Sequence, residues 1–327
     1  MDRREHHIEH LRAIAIIAVV GYHTGLTGFS GGFVGVDVFF VMSGYLITGQ
    51  LVRLKQAGTL DLLRFWLRRV ARLAPAGVLM VLCTAVLGMV LLPPDRANQL
   101  AAAVGPSLAY TANLHFITMA SDYHAGLTTL NPLLHMWSLG VEGQFYLLWP
   151  LVILIIPARW HLPVVLAFLT VSFMVSVAMT PGQPVFAFFG LPTRLWELAV
   201  GAGLALLGLR LPIAAGLAGL AMIGAAVLVF GTGTPFPGYT ALLPVIGTAL
   251  AIGGLRDWPS WAVLEWIGAR SYSWYLWHWP LIIYAEFYAP GLASRLAAVA
   301  LSLLLAEASY SLIEQPARRR IRQWATT

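Results

Sequence analysis

Eleven apolar runs recur along this chain, near residues 11–27, 34–51, 74–92, 100–119, 138–156, 163–180, 191–209, 211–230, 239–254, 272–288 and 292–313, with mostly short loops between them. About 20 apolar residues make a helix that crosses a bilayer core. Within lipid every backbone polar group must be satisfied inside its own segment, so helices are the natural solution for runs of this length. The expected fold class is therefore an all-α polytopic membrane protein. Only 10% of the residues are charged, against about a quarter in a soluble domain. No polar stretch is long enough to fold separately, so residues 1–327 read as a single transmembrane domain.

Loop charges set the sidedness. Eleven crossings from a cytoplasmic Asp2-Arg-Arg start would leave the basic run from Ala317 to Arg322 outside, against the positive-inside bias. One segment must then fail to cross. The weakest is 100–119, which holds Gly105, Pro106, Asn113 and His115. It reads as re-entrant or interfacial, leaving about ten transmembrane helices with both termini cytoplasmic. The net charge of +6 follows from arginines gathered in inner loops, and points to membrane lipids rather than nucleic acid as the neighbouring polyanion. Cys83 is the one cysteine and sits in an apolar run, so a buried structural thiol is expected. The first run carries Arg12 and His23 and ends without a small-x-small site, so no cleavable signal peptide is expected.

Ionisable groups inside such segments are expensive and mark function by default. Arg12 and His23 are eleven residues apart in the first run. That is about three helical turns, roughly 16 Å along the axis, so both side chains share one face. The topology places His23, Asp37, Glu142, Arg194 and Glu197 at one depth, the outer third of the bilayer. Histidine titrates near neutrality and is the leading general base. Either Asp37 or Glu142 suits the carboxylate that would steady its protonated ring, and the sequence does not choose between them. Arg194 and Glu197 stand three apart on a helix and suit an ion pair as well as they suit a substrate contact. Ser138, one turn before Glu142, reads more readily as a helix cap than as a nucleophile. His278, within the aromatic run 272–280, reads as structural or substrate-lining. That run itself fits either an interfacial belt or a packing surface.

On the inner side, residues 64–75 form a basic, aromatic, amphipathic stretch that contains Arg64, Arg68, Arg69 and Arg72. It suits anionic lipid heads, and it suits equally a cytosolic phosphate-bearing ligand gripped by arginine forks. Ser43-Gly44 is expected to let helix 2 pack closely. The histidines at 6, 7 and 10 read as solvated on a mobile terminus, with no metal site anywhere in the chain.

Seven motifs in a fixed order carry a family resemblance. They are Leu11-Arg12-Ala13 with His23, Gly32-Phe-Val-Gly-Val-Asp37-Val-Phe-Phe-Val-Met-Ser-Gly44, and Arg69-x-x-Arg72 before Pro75. Trp137-Ser138-Leu-x-x-Glu142-x-Gln-Phe-Tyr146, Arg194-Leu-Trp-Glu197, Ser273-Trp-Tyr-Leu-Trp-His278 and Ser309-Tyr-Ser-Leu-Ile-Glu314-Gln-Pro complete the set. With these the chain resembles the membrane-bound acyltransferase-3 family of bacterial O-acyltransferases, nearly end to end. Gly143 departs from a position where a second acidic residue is common, and Gln315 from one where arginine is frequent.

The resemblance implies an enzyme of the bacterial cytoplasmic membrane that moves an acyl group, often acetyl, from cytosolic acyl-CoA to a hydroxyl. The acceptor would be an extracytoplasmic glycan or a small molecule, and no cofactor would be permanently bound. It implies His23 as the base, with Asp37 or Glu142 beside it. Arg12, Arg69 and Arg72 would hold the donor, and Trp137, Ser138, Tyr146, Arg194, Glu197 and His278 would line the substrate. The C-terminal esterase-like domain of some members is not among these residues, so the expectation is a stand-alone form. A transporter that moves its substrate unmodified is the rival class. The acceptor's identity and the oligomeric state are not legible in the sequence.

Overall fold

A computed structural model describes residues 6–121, 130–317 and 319, and these are helical without a strand. In chain order the helices are α1 (His6–Thr24), α2 (Gly35–Gln56), α3 (Leu62–Leu91), α4 (Pro94–Leu108), α5 (Ala112–Ser121), α6 (Met136–Ile155) and α7 (His161–Gly182). There follow α8 (Pro184–Phe189), α9 (Leu191–Leu207), α10 (Ile213–Val229), α11 (Leu242–Gly254), α12 (Ala262–Tyr288) and α13 (Leu292–Ser309), which continues through a π-helical turn at Tyr310–Glu314. Six stretches among the described residues are long and apolar enough to cross a membrane: 32–56, 62–91, 136–155, 158–182, 184–207 and 292–317. The chain is thus an integral membrane protein. Most of the charged ends on which the sidedness rests, residues 2–4 and the 317–322 run, lie outside the described residues.

The segment singled out as non-spanning is broken in two. α4 and α5 have 15 and 10 residues, and neither is among the long or the shorter apolar helices of the described residues, as α10 and α11 are. Between them Tyr110 adopts a left-handed φ of 57°. Basic residues 64–72 do not form a separate surface helix. They are the first turns of α3, begun by Asp61, whose carboxylate accepts from the Arg64 amide at 3.0 Å. α3 is about 45 Å long at 1.5 Å per residue, and a hydrocarbon core is about 30 Å thick. Its arginine-bearing third therefore has length to spare outside the core. Cys83 is half-buried, less enclosed than expected.

By its contacts the chain forms two compact units, one from residues 1–60 and 145–271, the other from 61–144 and 272–327. In the first, α2 and α9 pack at backbone range. A Cβ on Gly44 would sit 1.9 Å from the Leu198 carbonyl oxygen, and one on Gly201 the same distance from that of Val41. Only glycine fits such a crossing, so the close packing expected of helix 2 is present. Around it Leu11, Ala15, Val38, Val41, Trp196 and Val245 belong to one core. α7 presents the opposite character: only 17% of its most apolar window is buried, with Val171 62% and Met174 64% exposed. A helix apolar all round and uncovered by protein is one that faces lipid.

Two features at helix ends went unread. The Lys55 ammonium donates to the carbonyls of Ile153 (2.6 Å), Leu154 (3.1 Å) and Ile156 (2.7 Å), and so satisfies the orphan end of α6. The N-terminal histidines are not solvated on a mobile tail, as the sequence suggested. They open α1, and His7 and His10 are each 4% exposed. His6 Nδ1 lies 2.8 Å from Glu265 Oε1, and His10 Nε2 accepts from the Trp261 amide at 3.2 Å. The Ser260 hydroxyl and His6 hold the Glu265 carboxyl below its ordinary range.

Burial first, then the nearby Arg256 guanidinium, push His7 down to about 4 from 6.5. The folded chain therefore refuses a proton that the unfolded chain binds between those values. Stability is full above pH 6.5 and falls as pH drops toward 4. The expected loss between pH 7 and pH 5 is about 2 kcal/mol at 1.36 kcal/mol per pH unit. Melting curves in detergent check this: His7→Leu should flatten the acid limb, and an unchanged limb would remove His7 as its cause.

Candidate functional site

Three of the five ionisable groups expected at one depth meet in the first unit. α2 supplies Asp37 from its first turn, and α9 supplies Arg194 and Glu197 one turn apart. Arg194 Nη2 lies 3.3 Å from Asp37 Oδ1, and Nη1 lies 3.0 Å from Glu197 Oε1. All three side chains are at most 1% exposed. The guanidinium carbon also stands 5.5 Å from the ring centre of Phe40, 5.7 Å from that of Phe188 and 5.3 Å from that of Phe236. Aromatic faces add to the cation's stabilisation once water is excluded. One guanidinium facing two carboxylates leaves a negative charge over, and such a charge is very costly where no water reaches.

Local structure fixes this geometry. The Thr193 hydroxyl donates to the carbonyls of Ala187 and Gly190 at 2.8 Å, closing the turn between α8 and α9. Ser172 of α7 donates to the Pro192 carbonyl (2.7 Å) and accepts from the Trp196 amide (2.9 Å). Both bonds tie α7 to the first two turns of α9, from which Arg194 projects.

His23 stands in the last turn of the same α1 that carries Arg12, so the two share one unbroken helix, as expected. Its half-buried ring lies 5.2 Å from that of Tyr22. Arg12, also half-buried, has Nη1 3.5 Å from Glu9 Oε1. Tyr146 belongs to this unit as well, donating to Ser43 Oγ at 3.2 Å.

The second unit holds the remaining sequence candidates. Glu142 is half-buried on α6. Its neighbour Gln144 donates to Asn113 Oδ1 at 2.8 Å. A Cβ on Gly143 would lie 2.8 Å from Tyr110 Cδ1, so the ring of that left-handed residue occupies the space an acidic side chain would need. This accounts for the departure at Gly143. Ser138 does not act as a cap. Its hydroxyl lies 2.6 Å from the Tyr275 phenol and 3.3 Å from the His135 carbonyl, to which the phenol also donates at 2.9 Å. Trp137 is 6% exposed.

His278 Nδ1 donates to the Tyr275 carbonyl at 2.8 Å, and His135 Nε2 to that of Leu276 at 3.1 Å. The two rings stand 5.8 Å apart. The aromatic run proves to be a packing surface: Trp274 and Trp277 donate to Ser302 and Ser309 at 3.0 and 2.8 Å, and Ser273 to Glu314 at 3.1 Å. Arg69 and Arg72, half-buried and one turn apart on α3, complete the set, with Arg69 5.6 Å from the centre of the Phe65 ring. His135 and Tyr275 were not picked out from sequence. Only their buried hydrogen bonds, between residues about 140 apart, reveal them. Among the described residues no cluster of three or more His, Cys, Asp or Glu side chains is placed to hold a metal.

Comparison with known proteins covers the whole of this architecture. The acyltransferase-3 model, described as an acyltransferase domain, matches residues 5–310. The O-acetyltransferase OatA of Staphylococcus aureus is 32% identical over 96% of this chain and 57% of its own length. The peptidoglycan O-acetyltransferase OatA of Listeria monocytogenes is 32% identical over 95% of this chain and 55% of its own. YrhL of Bacillus subtilis, provisionally named a peptidoglycan O-acetyltransferase, is 32% identical over 99% and 59%. The chain thus spans less than three fifths of the length of these relatives. No solved structure matches it significantly.

Proposed function

This chain belongs to the acyltransferase-3 family, and from that premise we propose a membrane O-acyltransferase that moves an acetyl group from cytosolic acyl-CoA to an extracytoplasmic glycan hydroxyl. The observation that carries the reading is the family match over residues 5–310, which takes in six of the seven motifs named above and the first residues of the seventh. The acceptor that two of the relatives bear in their names, peptidoglycan, is the first candidate. Residence in the bacterial cytoplasmic membrane follows from the same reading.

Ten crossings follow if α1, α10, α11 and α12 are added to the six long apolar stretches, with α4 and α5 left at the outer surface. Both termini are then cytoplasmic. So are Arg69 and Arg72, whose guanidinium groups would pair with donor phosphates, helped by Arg12. The pantetheine arm carries the thioester toward the outer part of the bundle. There His23 accepts the proton of the acceptor hydroxyl as its oxygen attacks the thioester carbonyl. The tetrahedral adduct collapses to the ester, and coenzyme A leaves as a thiol with the proton returned from the imidazolium. A carboxylate, Asp37 or Glu142, steadies the charged ring. Arg194 and Glu197 hold Asp37 in place, and Trp137, Ser138, Tyr146 and His278 shape the surroundings of the substrate.

Calorimetric titration of coenzyme A into the protein in lipid nanodiscs tests the donor half. Arg69→Ala and Arg72→Ala should each weaken binding by about tenfold or more, the worth of a charge-assisted pair. Unchanged affinity in both would move the phosphate dock elsewhere. A wild-type protein that binds no coenzyme A would favour transport without chemistry.

A further inference from the structure

In the second unit the C-terminal end of α3, the start of α4, residues 130–132 and the last turns of α12 enclose a cavity of about 190 Å³. None of its residues was picked out by motif. Leu92, Ile283 and Phe287 give it apolar walls, and Arg96, Gln99 and Glu286 give it polar edges. Asn131 also lines it, but its side chain is spent on shape. Its Nδ2 donates to the Gln99 carbonyl at 3.2 Å and its Oδ1 accepts from the Leu133 amide at 2.9 Å. Trp279 Nε1 donates to the Asn131 carbonyl at 2.9 Å, which ties this wall to α12. Arg295 Nε lies 3.0 Å from Glu286 Oε2 and so steadies that carboxylate at the edge. The wall is therefore braced from both sides before any ligand arrives.

Three of these four stretches share a further property. On the ten-crossing topology residue 92 ends an outward helix, 130–132 precede an inward one, and 283–287 approach the outer end of another. The fold gathers all three at one place, which is consistent with that sidedness. The cavity then opens on the side where an extracytoplasmic acceptor must enter.

We propose that this cavity is the acceptor subsite and holds one pyranose ring of a glycan. The inference rests on the acyltransferase reading for its role, and names the substrate class of that enzyme. A pyranose has two faces of C–H groups and a rim of hydroxyls. Those faces match walls of leucine, isoleucine and an open aromatic ring, and the rim matches an amide and a carboxylate, which between them donate and accept. Most pockets of this kind use apolar walls with a few placed polar groups to fix orientation.

Saturation-transfer NMR with chitotetraose, a β-1,4-linked N-acetylglucosamine tetramer, tests the proposal in nanodiscs free of glycosidic detergent. The wild-type protein should transfer saturation to the sugar's ring protons. Gln99→Leu should raise the sugar's Kd about tenfold, as loss of one good hydrogen bond would. Ile283→Trp should abolish the signal by filling the space, with a melting curve to show that the variant is folded. If it is not, Gln99→Leu and Glu286→Gln decide the matter. No transfer to the wild type, or wild-type binding by the folded variants, would overturn the subsite. Sugar binding that the variants lose, in a protein that consumes no acyl-CoA, would instead keep the subsite and remove the acyltransferase reading.

Discussion

A His23→Ala protein is expected to insert and fold normally, yet to lose about 10²–10⁴-fold in acyl-transfer rate, the usual worth of a positioned general base. Folding should survive because the residue is half-buried in the last turn of α1, just before Gly25, where the helix is already ending. The core face of α1 is built from Leu11, Ala15 and Ala18 and does not include it. Mass spectrometry of surface glycans is the readout, in a deletion strain complemented with wild type or with the variant at equal membrane levels. An ester-labile acetyl group restored only by the wild type is the expected result. Full restoration by His23→Ala would end its role as base and leave the family match in need of another. A His23→Gln control separates hydrogen bonding from proton transfer: glutamine can orient a hydroxyl but does not accept its proton at neutral pH.

What the sequence made legible was local. The placing of Arg12 and His23 on one helix needs only the 1.5 Å rise per residue, and α1 is unbroken between them. The weakness of 100–119 was written in Gly105, Pro106 and Asn113, and the break falls at 109–111. The i,i+3 spacing announced the Arg194–Glu197 pair. Long-range partners were not legible. Asp37 was read as a candidate for orienting a histidine because depth alone put it near one. Its observed partner Arg194 is 157 positions away, and no local spacing encodes that contact. Lys55 closes the end of α6 about 100 residues on, and nothing in its local sequence marks that partner. The N-terminal histidines failed for the same reason, since the residues that bury and bond them come from 256–265.

Removing Arg194 should cost more stability than any other single change at the site. In an Arg194→Met protein, Asp37 and Glu197 would face each other with no cation and no water. Breaking one side of a buried pair typically costs about 3–5 kcal/mol, and here two carboxylates are stranded by one substitution. The three aromatic rings around the guanidinium would also lose their cation. The variant should therefore accumulate poorly and melt well below the wild type in detergent. Neutralising the carboxylates at the same time, as Asp37→Asn and Glu197→Gln with Arg194→Met, removes the stranded charge and should recover most of the lost stability. Near-equal melting of the single variant and the wild type would show that the triad contributes little to the fold. The triple variant then carries the functional question. If it folds and transfers acetyl groups, the triad only braces α2 against α9. If it folds and does not, Asp37 or its partners are needed for the chemistry itself, and the buried charge is kept for that purpose rather than for stability.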